Sequence, residues 1–263
     1  MKDLIQKIKE QKQTIWALSK NQIKSRFAGT VGGLFWAVAQ PLALITIYYF
    51  VFAIGFKAQG PTGTTFVVWF ICGLVPWFFF AETLQSITTS VVSHNYLVKK
   101  TIFPIETLPF VSIVSGTIVH IIFAFILFLI LVFHEIPFLF SRILVLYYFA
   151  CTCFFMLGLG WILSSLQVYY RDIGHGLGIF LNLLFWSTPI VWSKEMIPER
   201  FHFIIDINPI TYFIDGYRNS LVYETVILPE FNQSLYFWVF TLLLLYVGKT
   251  TFDNLKPYFP DVI

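Results

Sequence analysis

Apolar runs of about 20 residues recur along this chain of 263 residues, with short polar loops between them. A hydrocarbon layer of roughly 30 Å is crossed by about 20 helical residues that each rise about 1.5 Å. Hydrophobic residues make up 57% of the chain and charged residues only 12%, whereas soluble domains average about 25% charged. The sequence therefore predicts an all-α, polytopic membrane protein. Its six predicted transmembrane helices cover residues 34–56, 66–93, 108–133, 143–168, 177–192 and 235–252.

Residues 1–30 precede the first apolar run and carry a different pattern. Apolar side chains recur there at helical spacings of four, seven or eight residues, and most lysines fall on other faces. The apolar set consists of Leu4, Ile8, Ile15, Ile23 and Phe27. We expect an amphipathic helix at the membrane interface, with a solvated charged tail as the alternative. A cleaved secretory signal is not expected because charges interrupt the stretch throughout, and residues 31–263 form the transmembrane domain.

The lysines and arginines are unevenly divided between the two sides that six spans would create. Twelve fall on the side of the N-terminus and five on the other. Because positive residues in short loops concentrate on the cytoplasmic side, we expect both termini to be cytoplasmic. No internal repeat is visible, and six unrepeated spans are few for a complete secondary transporter, so the chain would suit one half of a dimer.

A proline-rich stretch at residues 185–221 follows the fifth apolar run. Pro189, Pro198 and Pro209 occupy places where a spanning helix should continue. Broken helix at membrane depth needs protein or a wet cavity to satisfy its backbone, so it indicates function. The charge count places the stretch outside, and we interpret it as the outward-facing gate of a transport pathway. The predicted gate residues are Pro189, Trp192, Pro209, Tyr212, Tyr217 and Arg218, of which Trp192, Tyr212 and Tyr217 are the expected constricting side chains.

Aromatic residues make up 20% of the chain. Most are expected to face lipid or lie in the interfacial belts. Aromatic planes also bind the flat C–H faces of sugar rings through dispersion, which tolerates sliding, so a polymer conduit could use them. The hypothesised substrate-channel residues are Trp36, Trp77, Phe78, Phe79, Phe80, Glu82, Trp161 and Trp186. Glu82 is included because a carboxylate near hydrocarbon tends to face a cavity or a partner subunit.

Motifs of soluble and intramembrane enzymes are missing from the sequence. The stretch Gly248-Lys249-Thr250 resembles the end of a phosphate-binding loop, but Leu243 stands where the required glycine would be. No metalloprotease or serine-hydrolase motif is found either. We therefore expect neither an ATP site, a cofactor nor a metal in this chain, and we expect no catalytic residue.

Isolated polar and sulfur-containing residues inside the apolar runs favour packing over chemistry. Cys72, Cys151 and Cys153 lack the spacing and neighbours of a metal or redox site. His120 lies deep in the third span, where it either faces the bundle with a hydrogen-bond partner or relays protons. Glu106 is expected at the cytoplasmic interface.

Two polar loops on the predicted cytoplasmic side are candidates for contact with a soluble partner. One is the basic loop at residues 94–104, and the other covers residues 169–175 at the end of the fourth span. A plain connector would satisfy either pattern. The candidate coupling residues are His94, Tyr96, Lys99, Lys100, Arg171 and Asp172.

Six short motifs, in this order, resemble those of the permease subunit of type 2 ABC exporters for polysaccharides such as O-antigen, capsule or teichoic acid. They are Ser25 to Trp36 after the amphipathic helix, Gln40-Pro41, Gly73-Leu74-Val75-Pro76-Trp77 with the phenylalanines that follow, Tyr170-Arg171-Asp172-Ile173, Trp186 to Trp192, and Asn208-Pro209 with Tyr217-Arg218. None is specific alone, but together they cover nearly the whole chain.

The resemblance implies an inner-membrane homodimer seated on two separately encoded ATP-binding subunits, which would bind ATP and Mg²⁺. It also implies a lipid-linked polysaccharide as substrate, a coupling helix within residues 94–104, and short re-entrant helices within residues 190–221 between the fifth and sixth spans. No nucleic acid is expected as a partner. The alternatives are a type 2 ABC exporter of drugs or smaller lipids and an integral-membrane transferase that would use Asp206 or Asp215.

Overall fold

A computed structural model of the chain describes residues 2–26, 30, 32–33, 35–61, 64–99, 103–137, 139–223 and 227–263. Every regular element in these ranges is helical. The α-helices are α1 (Lys2–Glu10), α2 (Lys12–Arg26), α3 (Phe35–Tyr48), α4 (Phe66–Ser93), α5 (Asn95–Lys99), α6 (Leu108–Phe133), α7 (Leu144–Tyr169), α8 (Asp172–Ser187), α9 (His202–Ile207), α10 (Pro209–Leu221), α11 (Phe231–Leu255) and α12 (Phe259–Val262).

Four of the described helical segments are long and apolar enough to cross a membrane: Phe66–Ser93, Ile105–Phe133, Leu144–Tyr169 and Phe231–Val262. They correspond to the second, third, fourth and sixth predicted spans, and they establish an all-helical membrane protein. The first predicted span is built differently. Helix α3 ends at Tyr48 and continues as a π-helix, Tyr49–Gly55, so this span is composed of two joined pieces.

The fifth predicted span has different bounds from those expected. We predicted a helix over residues 177–192, whereas α8 covers Asp172–Ser187. It ends early because Thr188 precedes Pro189 and adopts an extended conformation with ψ of 138°, which a following proline favours. Its 16 residues span about 24 Å, less than a hydrocarbon layer of roughly 30 Å.

Helix α4 is the centre of the bundle. Its most apolar window is 78% buried, against 22% for the segment containing α6. Helices α6, α7, α8 and α10 all pack against α4. The two ends of α4 therefore mark the two ends of the molecule, which we call the α10 end and the α5 end. Helix α10 packs beside the first turns of α4, and α5 comes just after its last residue.

Helices α7 and α11 cross at two glycines. A Cβ on Gly248 would lie 2.2 Å from the carbonyl oxygen of Gly158, and a Cβ on Gly158 would lie 2.8 Å from the backbone of Leu244. Such contacts require glycine because backbones approach closely where helices pack through small residues. The close approach of the two backbones thus fixes α11 against α7.

Helix α2 lies against α6 with one face. Ile15, Ser19 and Ile23 are buried at four-residue spacing, while Trp16 is 48% exposed. The Ser19 hydroxyl donates to the carbonyl of Val111 over 2.9 Å or to that of Ile15 over 2.8 Å. The structure thus shows the amphipathic pattern in α2; the side chain of Leu4 and the whole of Phe27 lie outside the described residues.

Candidate functional site

Apolar side chains remain uncovered on α3, its π-helical continuation and α8. The two segments meet through Tyr48, whose ring centroid lies 5.9 Å from that of Phe185 and 5.7 Å from that of Phe70. The exposed side chains include Trp36, Ile47, Phe50, Ile54, Phe56, Ile179, Phe180, Leu183 and Trp186. This surface, which we call the α3–α8 face, carries two of the predicted channel residues, Trp36 and Trp186.

The proline and aromatic cluster of α4 lies beneath that face. Trp77, Phe79 and Phe80 are each at most 5% exposed. The Trp77 ring packs 5.6 Å from Phe185, and the Phe80 ring packs 5.6 Å from Phe213. In this conformation none of these three predicted channel residues lines the α3–α8 face. Trp77 supports it through Phe185 of α8, whereas Phe80 packs against α10 and Phe79 packs against α6 and α7.

Trp161, another predicted channel residue, is fully buried in a second apolar cluster at the α5 end. Its indole Nε1 donates to the backbone carbonyl of Glu106 over 3.2 Å. The carboxylate of Glu106 is also buried and accepts from Lys7 Nζ at 3.0 Å and from Lys256 Nζ. One carboxylate thus ties α1 and the segment after α11 to the start of α6.

A polar cavity of about 520 Å³ lies between α2, α4 and α6. Phe78 and Glu82 line it, and Glu82 pairs with Arg26 at 2.8 Å. Gln22 Nε2 donates to the hydroxyls of Ser86 and Ser112 over 2.7 and 3.1 Å. The cavity was not predicted from the sequence, although the hydroxyl side chains that α4 contributes to it recur at helical spacing: Thr83, Ser86, Thr89 and Ser93.

His120 lies at the deep end of the polar cavity. Its imidazole Nε2 shares a hydrogen bond of 3.0 Å with the Tyr217 hydroxyl. The ring packs against those of Phe79 and Phe149, with centroid distances of 4.7 and 5.3 Å. The structural hypothesis for His120 is confirmed: it faces the bundle and has a hydrogen-bond partner.

The proline-broken stretch forms the α10 end of the molecule. Asn208 begins α10 in the usual capping manner: its side-chain oxygen accepts from Ile210 N over 3.0 Å, and Pro209 takes the first helical position. Asn208 Nδ2 also donates to the Thr188 hydroxyl over 2.9 Å. The Asn-Pro pair therefore starts α10 and ties it to the end of α8.

Arg218 is the anchor of this region. Its side chain is 3% exposed, and its guanidinium donates to the backbone carbonyls of Trp69 at 3.2 Å, Pro189 at 2.6 Å and Ile190 at 2.8 Å. Asp215 accepts a further bond of 3.2 Å. One side chain thus holds α10, the break after α8 and the first turn of α4 together.

Two further features explain why an arginine fits there. The guanidinium lies 3.6 Å above the ring of Trp69, a cation–π contact. A Cβ on Gly73 would lie 2.5 Å from Arg218 Nη2. Gly73, which opens the Gly-Leu-Val-Pro motif, therefore makes the space that the guanidinium occupies.

The other predicted gate residues surround this anchor. Trp192 Nε1 donates to the carbonyl of Trp186 over 2.9 Å. The Tyr212 hydroxyl lies 2.8 Å from that of Tyr147 and 2.9 Å from that of Ser234. Tyr217 is 2% exposed and faces His120. The structure brings all six predicted gate residues together at the α10 end, where their side chains are engaged in packing and hydrogen bonds.

The predicted coupling residues lie at the α5 end. Tyr96 and Lys99 of α5 are exposed, Val98 of the same helix is buried, and His94 just before it is half-buried; Lys100 lies outside the described residues. Arg171 and Asp172 are exposed at the start of α8. The break before α8 is braced because the Gln167 side chain donates to the Arg171 carbonyl over 2.9 Å and accepts from Gly174 N over 2.6 Å.

No cluster of three His, Cys, Asp or Glu side chains suited to a metal occurs among the described residues. The two aspartates considered for transferase chemistry are both ion-paired: Asp206 with Lys194 at 2.5 Å, and Asp215 with Arg218.

The chain is similar to known proteins over nearly its whole length. Residues 13–222 match the sequence profile of the ABC-2 type transporter family. The chain is 29% identical over 251 residues to the O-antigen export system permease protein RfbA of Klebsiella pneumoniae, covering 94% of this chain and 93% of the relative. It is 22% identical over 270 residues to the RfbA permease of Myxococcus xanthus, with 99% of each covered. It is also 22% identical over 242 residues to the polysialic acid transport protein KpsM of Escherichia coli, covering 90% and 92%.

Proposed function

We propose, from the premise that the chain belongs to the ABC-2 type transporter family, that it is the membrane permease of a polysaccharide exporter. Relatives named for O-antigen export and for polysialic acid transport align with at least 90% of the chain. The observation that carries the proposal is the agreement of this full-length likeness with an all-helical membrane bundle. The substrate proposed is a polysaccharide linked to a lipid, moved across the cytoplasmic membrane.

The transport path in this proposal runs between two copies of the chain. The α3–α8 face supports it, because a closed homodimer buries the same surface on both subunits and this face exposes many large apolar side chains. Trp36 and Trp186 are about half-exposed on it. They would offer aromatic planes to sugar rings, while Trp77 packs beneath α8 against Phe185.

Energy for transport comes, in the proposal, from ATP hydrolysis on two separate ATP-binding subunits. The movement of those subunits would be passed to helix α5 and to the exposed Arg171 and Asp172. The bracing by Gln167 supports this role because a stiff junction between α7 and α8 transmits displacement to the α3–α8 face. This arrangement requires the α5 end, and with it both termini, to be cytoplasmic.

The α10 end would then close the path on the outer side. Helices α9 and α10 are short and follow the proline break, which suits re-entrant helices that do not cross the membrane. Anchoring by Arg218 supports a fixed cap. Opening would therefore occur by separation of two such caps, one from each subunit, rather than by unfolding of α10.

A deletion strain tests the proposed function. Without this chain, lipid-linked polymer should accumulate undecorated inside the cell and surface polysaccharide should fall. Restoring the intact chain should reverse both effects. Normal surface polysaccharide with no internal accumulation would contradict the export role.

The same strain separates the alternatives. Loss of dye efflux with unchanged surface glycan would favour an exporter of drugs or smaller lipids. Turnover of a lipid-linked sugar by the purified chain without an ATP-binding subunit would favour a transferase. The ion pairs of Asp206 and Asp215 give that alternative no support.

A further inference from the structure

Residues 256–263 follow α11 and fold back against the α5 end of the molecule. Helix α12 contacts both α5 and α7. Phe259 is fully buried, with its ring centroid 5.4 Å from that of Phe252 and 6.4 Å from that of Tyr169. It belongs to the same apolar cluster as Val98, the buried residue of α5. The segment thus forms a support on which α5 rests.

Polar contacts hold this support in place. Lys256 pairs with the buried carboxylate of Glu106, which also binds Lys7. The Tyr169 hydroxyl donates to the carbonyl of Leu255 over 3.3 Å. Because α5, α7 and α12 share one apolar cluster, we expect a displacement of α5 to be passed to α12.

The opposite side of the segment is uncovered. Tyr258 is 59% exposed and Val262 is 44% exposed, and Pro260 and Asp261 are exposed between them. Two other exposed tyrosines lie at the same end of the bundle: Tyr96 of α5 at 47% and Tyr170 at 66%. These tyrosines come from three separate segments at one end of the bundle, and tyrosine is a residue type that protein interfaces favour.

We propose that residues 256–263 form a further part of the surface that binds the ATP-binding subunit, with Tyr258 and Val262 in the contact beside α5. This inference rests on the proposed function, because it extends the surface assigned there to α5 and to Arg171 and Asp172. Continuity with α5 favours the ATP-binding subunit over lipid or a second copy of this chain, because α12 contacts α5 and its buried side carries the cluster that fixes α5.

Photo-crosslinking in the assembled complex tests the proposal. A benzoylphenylalanine is placed at Tyr258, at Tyr96 or at Tyr246 in otherwise intact chains that are co-produced with the ATP-binding subunit. Tyr246 is the matched control, since it is 72% exposed on α11. We expect position 258 to crosslink to the ATP-binding subunit at a yield comparable to position 96 and at least about ten times that of position 246.

The outcomes separate this inference from the proposed function. Crosslinking from 96 with only lipid or self-adducts from 258 would overturn the inference and leave the coupling role of α5 intact. Absence of crosslinks from both would overturn both. Crosslinking from 258 alone would support the inference and remove α5 from the coupling surface.

A substitution that keeps Phe259 in place gives an independent measurement. Tyr258→Ala should weaken association with the ATP-binding subunit by about five-fold or more, the effect of truncating an interface tyrosine worth about 1 kcal/mol. Tyr246→Ala should leave it unchanged. Equal association for the two variants, with the same amount of chain in the membrane, would count against the contact.

Discussion

The buried charges at the two ends of the α4 bundle are held differently, as Arg218 and Glu106 show. At the α10 end, Arg218 binds three backbone carbonyls and one carboxylate, and it lies above an aromatic ring. At the α5 end, the Glu106 carboxylate binds two lysines whose side chains are 37% and 32% exposed. Each charged side chain at the centre is nearly buried, at 3% and 4% exposed.

The difference concerns what can move. All three carbonyls belong to the backbone, one in α4 and two in the break after α8. Because backbone atoms move less freely than the ends of long side chains, we infer that the Arg218 anchor is the stiffer of the two. Lysines reach Glu106 on long flexible stems from two other segments, and water reaches their ammonium groups. We infer that the α10 end is a fixed cap and that the α5 end can shift without losing all of its contacts. A transporter driven from one end needs this asymmetry.

Removal of the stiff anchor should have the largest effect. Arg218→Leu leaves the carbonyls of Trp69, Pro189 and Ile190 without this donor, and breaking a buried charged network costs about 3–5 kcal/mol. We expect a large fall in the thermal unfolding temperature of the purified chain and loss of export.

Arg200→Leu is the control for that variant, because Arg200 is exposed and lies only over the ring of Phe201 at 4.8 Å. It should change stability by less than about 0.5 kcal/mol. Equal unfolding temperatures for the two variants would show that the α10 end is not anchored by Arg218.

A methyl group added beside the anchor should have an intermediate effect. Gly73→Ala places a Cβ 2.5 Å from Arg218 Nη2, and overpacking costs about 1–3 kcal/mol. Gly176→Ala on α8 meets no atom within 4 Å and should be neutral or stabilising, since alanine favours helix. Thermal unfolding of the two variants measures the difference. If Gly73→Ala matched Gly176→Ala, the space around the guanidinium would not be the constraint.

Removal of the Glu106 charge should have the smallest effect on stability, and the size of that effect should depend on salt. Glu106→Gln keeps the shape of the side chain but removes its charge, and solvent screening of the two lysines limits the cost to about 1–2 kcal/mol. We expect this variant to stimulate the ATPase activity of the assembled complex less than the native chain does. The stability difference from the native chain should shrink as salt is raised, whereas that of Arg218→Leu should persist.

Asp253→Asn is the matched control for Glu106→Gln, because Asp253 pairs with Lys249 on the exposed side of α11. It should alter stability by no more than about 0.5 kcal/mol. A Glu106→Gln variant with native stability and native ATPase response would remove the distinction between a fixed and a yielding end.

Local signals in the sequence account for local structure, even where they were not used. Pro209 after Asn208 coincides with the start of α10, and Pro189 follows the end of α8 closely because a proline constrains its neighbours, although the fifth span was predicted to run on to residue 192. The bounds of α8 were still misplaced. Its start depends on a side-chain bond from Gln167 to Gly174 across the break between two helices, and the apolar run gives no sign of that bond.

Channel residues were harder to predict than helices. In a soluble helix the period of apolar residues shows which face is buried. In a membrane both the lipid side and the bundle side are apolar, so the period carries little information. Trp186 and Trp77 therefore look alike in the sequence, although the first is 56% exposed and the second 5% exposed.

The sequence by itself determined the membrane bundle, the break at residues 185–221 and the family, because apolar length and proline constraints are local properties of the chain. The interfacial position of residues 1–30 stays a prediction. Only the tertiary structure decided which partners meet across long separations. Lys7, Glu106 and Lys256 form one charge cluster, and His120 meets Tyr217, 97 positions away. Those pairings follow from how the helices pack, and packing depends on the shapes of all of them together.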